Sequence, residues 1–210
     1  MKPDEIEALS FKIIDEEAGP HDFPDDRWQI VRRMIHTSAD FDYIQTTRFH
    51  PRAVAAGIRA IQNGRAVITD THMALAGIRK QAIEKFGGAA RCLINDPAVI
   101  DAARQAGTTR AKAAAQAAAA AMQDGIYVVG NAPTALLEVI RLISEKAAAP
   151  ALVVGLPVGF VNAAESKQAL MELDIPYITN VGRKGGSNLA ASVINALIIQ
   201  ATAEGRQPNG

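Results

Sequence analysis

The sequence predicts an α/β fold built on a mainly parallel sheet. Three short segments rich in β-branched and aliphatic residues, at 126–129, 151–154 and 177–181, each lead into a loop that contains Gly or Pro and then into a helical pattern. Strand, loop and helix repeated in this order are typical of a parallel sheet with helices on both faces. The expected architecture is therefore a three-layer α/β/α arrangement.

The loops after these strands are the most informative part of the chain. The first loop (129–134) reads Val-Gly-Asn-Ala-Pro-Thr, the second loop (155–160) Gly-Leu-Pro-Val-Gly-Phe and the third loop (182–187) Gly-Arg-Lys-Gly-Gly-Ser. The helical patterns after them cover 135–143, 162–171 and 189–199. In flavodoxin-like and Rossmann-like sheets, ligands bind beyond the carboxyl ends of the strands, so we expect the three loops to gather there.

The N-terminal region predicts two helices. The first covers 3–17 and carries an apolar stripe of Ile6, Leu9, Ile13 and Ile14. Pro24 begins the second helix, where two aspartates in the first turn suit the helix dipole. The apolar face of this second helix consists of Trp28, Val31, Met34 and Ile35. This spacing leaves His36 outside the core stripe, on the polar side of the helix.

The other predicted elements are a helix at 51–63, strands at 66–69 and 91–94, and an alanine-rich helix at 109–122. Alanine is the best helix former, which supports the last of these. The chain contains no internal repeat and no linker-like break. We therefore expect one domain over residues 1–210, with a flexible polar tail from about residue 204 to residue 210.

Composition excludes several classes of protein. Lys and Arg number 22, as do Asp and Glu, and such a balance argues against a nucleic-acid or anionic-membrane binder. The single cysteine, Cys92, rules out an internal disulfide, and no cluster of His, Cys and carboxylates resembles a metal site. No apolar run is long enough to span a bilayer, and the acidic N-terminus does not resemble a signal peptide. We expect a cytoplasmic protein.

Candidate residues for acid–base chemistry are few. Among the four histidines, His36 lies four residues after Arg32 and four before Asp40. One interpretation is a solvated histidine flanked by charges. The other is a proton donor at a pocket wall, a role suited by the ordinary histidine pKa of about 6.5. His72 and Asp70 follow a strand end and are pocket candidates without an assigned role.

The three loops also suggest an anion-binding site. A loop that turns into a helix presents free backbone N–H groups to a ligand, and glycines let the backbone approach closely. Arg183 and Lys184 add positive charge to the third loop. Tight connections in any α/β protein use glycine and proline too, and this alternative explanation of the loops stays open. The dinucleotide, P-loop and hydrolase signatures are absent, and the residues alone indicate an α/β enzyme that binds an anionic small molecule.

Four motifs in order along the chain are more specific. They are Arg-Met-Ile-His-Thr-Ser-Ala-Asp-Phe-Asp at 33–42, Gly-Asn-Ala-Pro-Thr-Ala-Leu at 130–136, the second loop with Ala-Ala-Glu-Ser-Lys at 163–167, and the third loop. Further matches are Ser10-Phe11, Asp70 with Met73 and Gly77, and Thr109-Arg110. Over nearly its whole length, the chain resembles the precorrin-8X methylmutases of cobalamin biosynthesis.

The resemblance implies an isomerase that moves a methyl group from C-11 to C-12 of precorrin-8X or cobalt-precorrin-8 and gives hydrogenobyrinic or cobyrinic acid. It implies that His36 is the catalytic residue, which protonates or hydrogen-bonds a ring nitrogen. It also implies a homodimer with no dissociable cofactor, in which any cobalt is part of the substrate. The motifs at His36 and in the third loop look closer to the cobalt-precorrin-8 type.

The substrate implied is a large apolar ring bearing several carboxylates, which helix N-termini and arginines would hold. The substrate-binding residues that the resemblance implies are Ser10, Asp70, Met73, Arg110, Asn131, Ala132, Pro133, Thr134, Gly159, Phe160, Lys167, Arg183, Gly185, Gly186 and Ser187. Two other classes of function stay open: a non-catalytic tetrapyrrole carrier and a flavodoxin-like nucleotide-binding oxidoreductase.

Overall fold

Six strands form a single sheet in the computed structural model, which describes residues 1–204 of the chain. The strands are β1 (Thr47–Phe49), β2 (Val67–Thr69), β3 (Ala90–Cys92), β4 (Ile126–Val129), β5 (Leu152–Gly155) and β6 (Tyr177–Asn180). Their order across the sheet is β1-β6-β5-β4-β2-β3. All neighbours are parallel except β1, which pairs antiparallel with β6 at the edge.

The helices of the described residues are α1 (Pro3–Ala18), α2 (Asp25–Ser38), α3 (Asp42–Thr46), α4 (Ala53–Gln62), α5 (His72–Gly77), α6 (Lys80–Glu84), α7 (Pro97–Gln105), α8 (Arg110–Ala117), α9 (Pro133–Ser144), α10 (Ala163–Met171) and α11 (Ser187–Glu204), with a short 3-10 helix at Ala120–Met122. No helix within residues 1–204 is both long enough and apolar enough to cross a membrane.

The central strands are buried on both faces. Ile126 and Val128 of β4 pack in one hydrophobic cluster with α2, α4 and α11, whereas Tyr127 and Val129 pack in a second cluster with α8 and α9. Successive side chains of a strand point to opposite faces of the sheet, so a continuously apolar strand contributes side chains to both hydrophobic clusters. The predicted three-layer α/β/α class with a mainly parallel sheet is confirmed.

Strand order reverses direction between β2 and β4. The chain runs outward from β2 to β3 on one side, and from β4 through β5 to β6 on the other. In open parallel sheets this reversal opens a crevice at the carboxyl ends of the two strands. Asp70, directly after β2, and Gly130, directly after β4, lie at that point.

Several predicted elements need correction. The alanine-rich helix was predicted to run to residue 122, but α8 ends at Ala117 and a separate 3-10 helix follows. Met122 is fully buried against the sheet, and such tertiary packing overrides helix propensity, which is a weak local preference. The short elements α3, β1, α5, α6 and α7 were not predicted, because most are too short to show a period in the sequence.

The N-terminal helices agree with the prediction in part. Trp28, Val31, Met34 and Ile35 of α2 are buried as their spacing predicts, and His36 is exposed. On α1, only Ile14 of the predicted apolar stripe is buried; Ile6, Leu9 and Ile13 are exposed.

The single-domain organisation stays a prediction, with which one sheet and its two helical layers agree. Of the predicted tail, Glu204 is the last residue of α11, and residues 205–210 lie outside the described part of the chain.

Candidate active site

The three loops meet at the carboxyl edge, the edge of the sheet where the parallel strands end. The backbone N–H of Leu156 donates to the carbonyl of Val129 at 2.8 Å, and the N–H of Gly186 donates to the carbonyl of Leu156 at 2.9 Å. The N–H of Gly159 donates to the carbonyl of Arg183 at 3.2 Å. The second loop therefore joins the first loop to the third, as the strand–loop–helix order predicts.

Two glycines let the backbones of the loops touch. A Cβ atom on Gly130 would lie 2.5 Å from the Cα of Ser187, and one on Gly185 would lie 2.3 Å from the carbonyl oxygen of Leu156. Carbon atoms do not approach backbone atoms so closely, so any side chain at these positions would push the loops apart.

Asp70 lies beneath the first loop rather than in an open crevice. Its side chain is 1% exposed, and its carboxylate accepts the backbone N–H groups of Gly130, Asn131 and Ala132 at 2.9, 2.9 and 2.8 Å. Burial raises the pKa of Asp70, while the three donors act in the opposite direction. The expectation of free N–H groups in the first loop is therefore wrong at these residues. Asp70 supports the loop from beneath, and its predicted contact with substrate stays a prediction.

A neighbouring contact fixes the start of α11. The Thr71 side chain accepts the N–H of Ala74 at 3.1 Å and so caps α5, and its Oγ1 lies 2.9 Å from Oγ of Ser187. Ser187 is buried, so its hydroxyl is used within the protein. Sequence reasoning missed Thr71, although a threonine directly before a helix is a capping signal.

Lys167, which is predicted to bind substrate, lies inside the protein. The side chain is fully buried, and Nζ donates to Oδ1 of Asn180 at 3.1 Å and to the carbonyl of Lys184 at 2.7 Å. Burial lowers the pKa of Lys167 to about 8. The lysine supports the third loop from inside, and its predicted contact with substrate stays a prediction.

The third loop also contacts the segment after α2. Nζ of Lys184 lies 2.6 Å from Oδ2 of Asp40 and 2.6 Å from Oδ2 of Asp42. The hydrogen bond from Lys184 holds the pKa of the Asp40 carboxyl below its ordinary value. The charge of Lys184, expected to serve the ligand, is thus neutralised by two carboxylates.

His36 lies in the last turn of α2 and is exposed. Its ring centroid is 5.0 Å from that of Phe11 on α1, and the guanidinium group of Arg33 lies 5.1 Å from the same Phe11 ring. Arg33 also donates to Glu7 at 2.8 Å. Partial burial raises the pKa of Glu7, whereas the hydrogen bond and charge of Arg33 lower it, with smaller contributions from Arg79 and His36. The net effect is a lowered pKa of Glu7.

Two other predicted residues, Ser10 and Arg110, lie on α1 and α8. Ser10 is half-buried on α1, next to Phe11, and its hydroxyl donates to the carbonyl of Ile6 at 2.9 Å. Arg110 is exposed at the start of α8, 3.4 Å from Oδ1 of Asn95. The preceding Thr109 hydroxyl donates to that of Thr134 at 3.2 Å, which places the start of α8 beside the first loop.

Apolar side chains are exposed at the carboxyl edge. Phe160 of the second loop is 83% exposed and Met73 of α5 is 73% exposed. The guanidinium carbon of Arg183 lies 5.5 Å from the centroid of the Phe160 ring. Large exposed apolar side chains near cations are typical of a surface that binds an apolar anion.

The remaining predicted binding residues belong to the three loops. Asn131 is exposed, whereas Ala132, Pro133, Thr134, Gly159 and Gly185 are half-buried and Gly186 is buried. Within residues 1–204, no three His, Cys, Asp or Glu side chains gather in a geometry that could hold a metal ion. Direct binding by any of these residues stays a prediction.

Comparison with known proteins identifies the family. The precorrin-8X methylmutase (CbiC) family model matches residues 5–200. The chain is 50% identical to the cobalt-precorrin-8 methylmutase of Priestia megaterium over 96% of this chain and 89% of that protein. It is 43% identical to the cobalt-precorrin-8 methylmutase of Leptospira interrogans over 96% of both chains.

A solved structure agrees with these matches. The crystal structure of a precorrin-8X methylmutase from Thermus thermophilus superposes with a TM-score of 0.89 at 45% identity, covering 99% of this chain and 100% of that one. Sequence and fold therefore agree over nearly the whole chain, which belongs to the precorrin-8X methylmutase family, a family of isomerases in cobalamin biosynthesis.

Proposed function

We propose that this protein moves a methyl group from C-11 to C-12 of precorrin-8X or cobalt-precorrin-8 and so forms hydrogenobyrinic or cobyrinic acid. The observation that carries the proposal is the pairing of Phe160 with Arg183 at the carboxyl edge, where an exposed aromatic face lies 5.5 Å from a guanidinium group. A flat apolar ring that bears carboxylates is complementary to such a pair.

His36 is the proposed proton donor to the ring. It is exposed at the end of α2, and the segment that follows α2 is joined to the third loop by the contacts of Lys184 with Asp40 and Asp42. A proton or hydrogen bond given to a ring nitrogen draws electrons from the conjugated system and favours migration of the methyl group. The proton returns to His36 when product forms, so mass and oxidation state are unchanged.

Because an isomerisation needs neither an oxidant nor a group donor, we propose that no dissociable cofactor takes part. Cobalt, where present, belongs to the substrate. Arg110 and Arg183 are the proposed partners of the substrate carboxylates, which guanidinium groups can pair with in bidentate geometry. Met73 and Phe160 would contact the apolar ring.

The cobalt-containing branch is the favoured one. Both relatives described above carry the name cobalt-precorrin-8 methylmutase. The test is anaerobic incubation of the pure protein with precorrin-8X and, separately, with cobalt-precorrin-8, following the absorption spectrum and the product mass. A spectral change at constant mass would support isomerisation, and the faster substrate identifies the branch.

Two outcomes of the same experiment would contradict the proposal. Binding of both macrocycles without a change in conjugation would indicate a carrier. Visible absorbance of bound flavin in the purified protein, with no isomerisation, would favour a flavodoxin-like oxidoreductase instead.

A second copy of the chain is the proposed partner of α1. Ile6, Leu9 and Ile13 form an exposed apolar stripe on this helix, and a homodimer would cover it. Analytical ultracentrifugation should give a dimer that Leu9→Glu weakens, and a monomer at all concentrations would contradict it.

A cytoplasmic location stays a prediction, to be checked by cell fractionation.

A further inference from the structure

Lys184 is held from two directions. Its backbone carbonyl accepts hydrogen bonds from Nζ of Lys167 at 2.7 Å and from Nδ2 of Asn180 at 3.0 Å. Its own Nζ contacts Asp40 and Asp42, each at 2.6 Å. The main chain of the third loop is thus tied to the interior, and its side chain is tied to the segment after α2.

The third loop and the end of α2, which Lys184 connects, each carry a residue with a proposed role in the reaction. Arg183, directly before Lys184, contacts Phe160 of the second loop. On the other side, Ala39 ends α2 in a left-handed conformation (φ 53°) three residues after His36, and Asp40 follows it. The contact between Lys184 and Asp40, which are 144 residues apart in the chain, therefore links α2 to the third loop. His36, the proposed proton donor, lies on α2, and Arg183, the proposed carboxylate-binding residue, lies in the third loop.

We infer that Lys184 is a positioning residue, which fixes the third loop relative to the end of α2 so that Arg183 and His36 engage one macrocycle together. This role rests on the proposed function. A direct bond from Lys184 to a substrate carboxylate is disfavoured by charge. One ammonium between two carboxylates leaves the group net negative, and a third carboxylate would be repelled.

Removal of the lysine should leave the fold intact. The Lys184 side chain is 49% exposed, and exposed ion pairs contribute little to stability. Small displacements of positioning groups, in contrast, lower the rate of catalysis by up to about 100-fold. The effect of a substitution should therefore be seen in kcat.

The test is a double-mutant cycle that joins Lys184→Ala with the pair Asp40→Asn and Asp42→Asn. We expect Lys184→Ala to lower kcat about 10- to 100-fold with KM changed less than about threefold, and Lys184→Arg to recover most of the loss. In the variant that already carries Asp40→Asn and Asp42→Asn, Lys184→Ala should lower kcat little further, because the ion pairs of Lys184 are already lost. Lys85→Ala, at an exposed lysine after α6 on the opposite edge of the sheet, is the matched control.

Two kinetic results would overturn the inference. If Lys184 bound substrate directly, Lys184→Ala would raise KM with kcat unchanged, and the two carboxamide substitutions would strengthen binding by freeing the lysine. Fully additive effects in the cycle would also contradict a role through Asp40 and Asp42.

Hydrogen exchange separates this inference from the proposed function. Lys184→Ala, but not Lys85→Ala, should speed amide exchange in both 39–42 and 182–187. If the wild-type protein isomerised neither macrocycle, the proposed function would be wrong. The exchange rates would still show whether Lys184 couples segment 39–42 to the third loop. Unchanged exchange in both segments would overturn the positioning role.

Discussion

The carboxylate of Asp70 accepts the backbone N–H of Gly130 at 2.9 Å and so joins the end of β2 to the start of the first loop. The same carboxylate accepts the N–H groups of Asn131 and Ala132. The first loop follows β4, and β2 and β4 lie on the two sides of the point where strand order reverses. Ligands bind at this point in such sheets. A buried acid therefore shapes the loop at the crevice.

Asp70→Asn should destabilise the fold by about 3 kcal/mol, because an amide nitrogen would face a backbone donor and leave it unsatisfied in a buried site. Urea unfolding measures the free energy of unfolding. Asp101→Asn, at an exposed residue of α7 whose ion pair with Arg104 spans 3.8 Å, is the control and should change stability by less than about 0.5 kcal/mol. Equal losses in both variants would contradict the role given to Asp70.

His36→Ala should abolish turnover while the protein still binds the macrocycle, since the histidine is proposed to act on the ring during the methyl shift. Spectroscopic titration measures binding, and the anaerobic assay measures turnover. His72→Ala is the comparison, because His72 is also exposed but lies at the start of α5. Loss of activity in His72→Ala with activity kept in His36→Ala would reverse the assignment.

Arg110→Ala should weaken substrate binding about 10-fold with the fold intact, as expected for the loss of one charged hydrogen bond to a carboxylate. Titration with substrate measures the change in Kd. Arg104→Ala on α7 removes another exposed guanidinium and should leave Kd unchanged. An unaltered Kd in Arg110→Ala would exclude the proposed carboxylate contact.

Gly130→Ala should lower stability by about 2 kcal/mol and reduce activity, because the new methyl group would lie 2.5 Å from Cα of Ser187 and force the first and third loops apart. Gly107→Ala is an informative control: its φ of 58° costs about 1 kcal/mol, but beyond residues 106–108 no heavy atom lies within 4 Å of the new Cβ. Thermal unfolding and turnover measure both effects. Full activity in Gly130→Ala would show that the loops tolerate separation.

Stability should depend on pH through Lys167. Its folded pKa is lowered by burial to about 8, against an ordinary value of 10.5. Between these values the unfolded chain keeps a proton that the folded protein has lost, so this residue makes the free energy of unfolding rise with pH. Denaturant unfolding at pH 8 and pH 10 should show a gain in the wild-type protein relative to Lys167→Met. Parallel pH dependences would contradict the lowered pKa.

Local patterns in the sequence predicted most of the long elements. The apolar strands β4, β5 and β6, the loops after them and the amphipathic helix α2 all appear near their predicted bounds. Short elements such as α3, with five residues, and β1, with three, were missed because each contains fewer than two full repeats of its pattern. The edge strand β1 exists through its pairing with β6, a partner more than 100 residues away.

The sequence by itself determined the fold class, the family motifs and the exposed position of His36, because these depend on residue type and on periods of two or 3.6 residues. Only the tertiary structure decided which groups Asp70, Lys167 and Lys184 contact within the protein. Each bears a charge, and a charged residue at a strand end or loop is equally suited to a ligand or to the protein's own backbone. Which partner it has is set by the distances that folding creates between distant segments, as between Asp70 and the first loop, Lys167 and the carbonyl of Lys184, and Lys184 and Asp40.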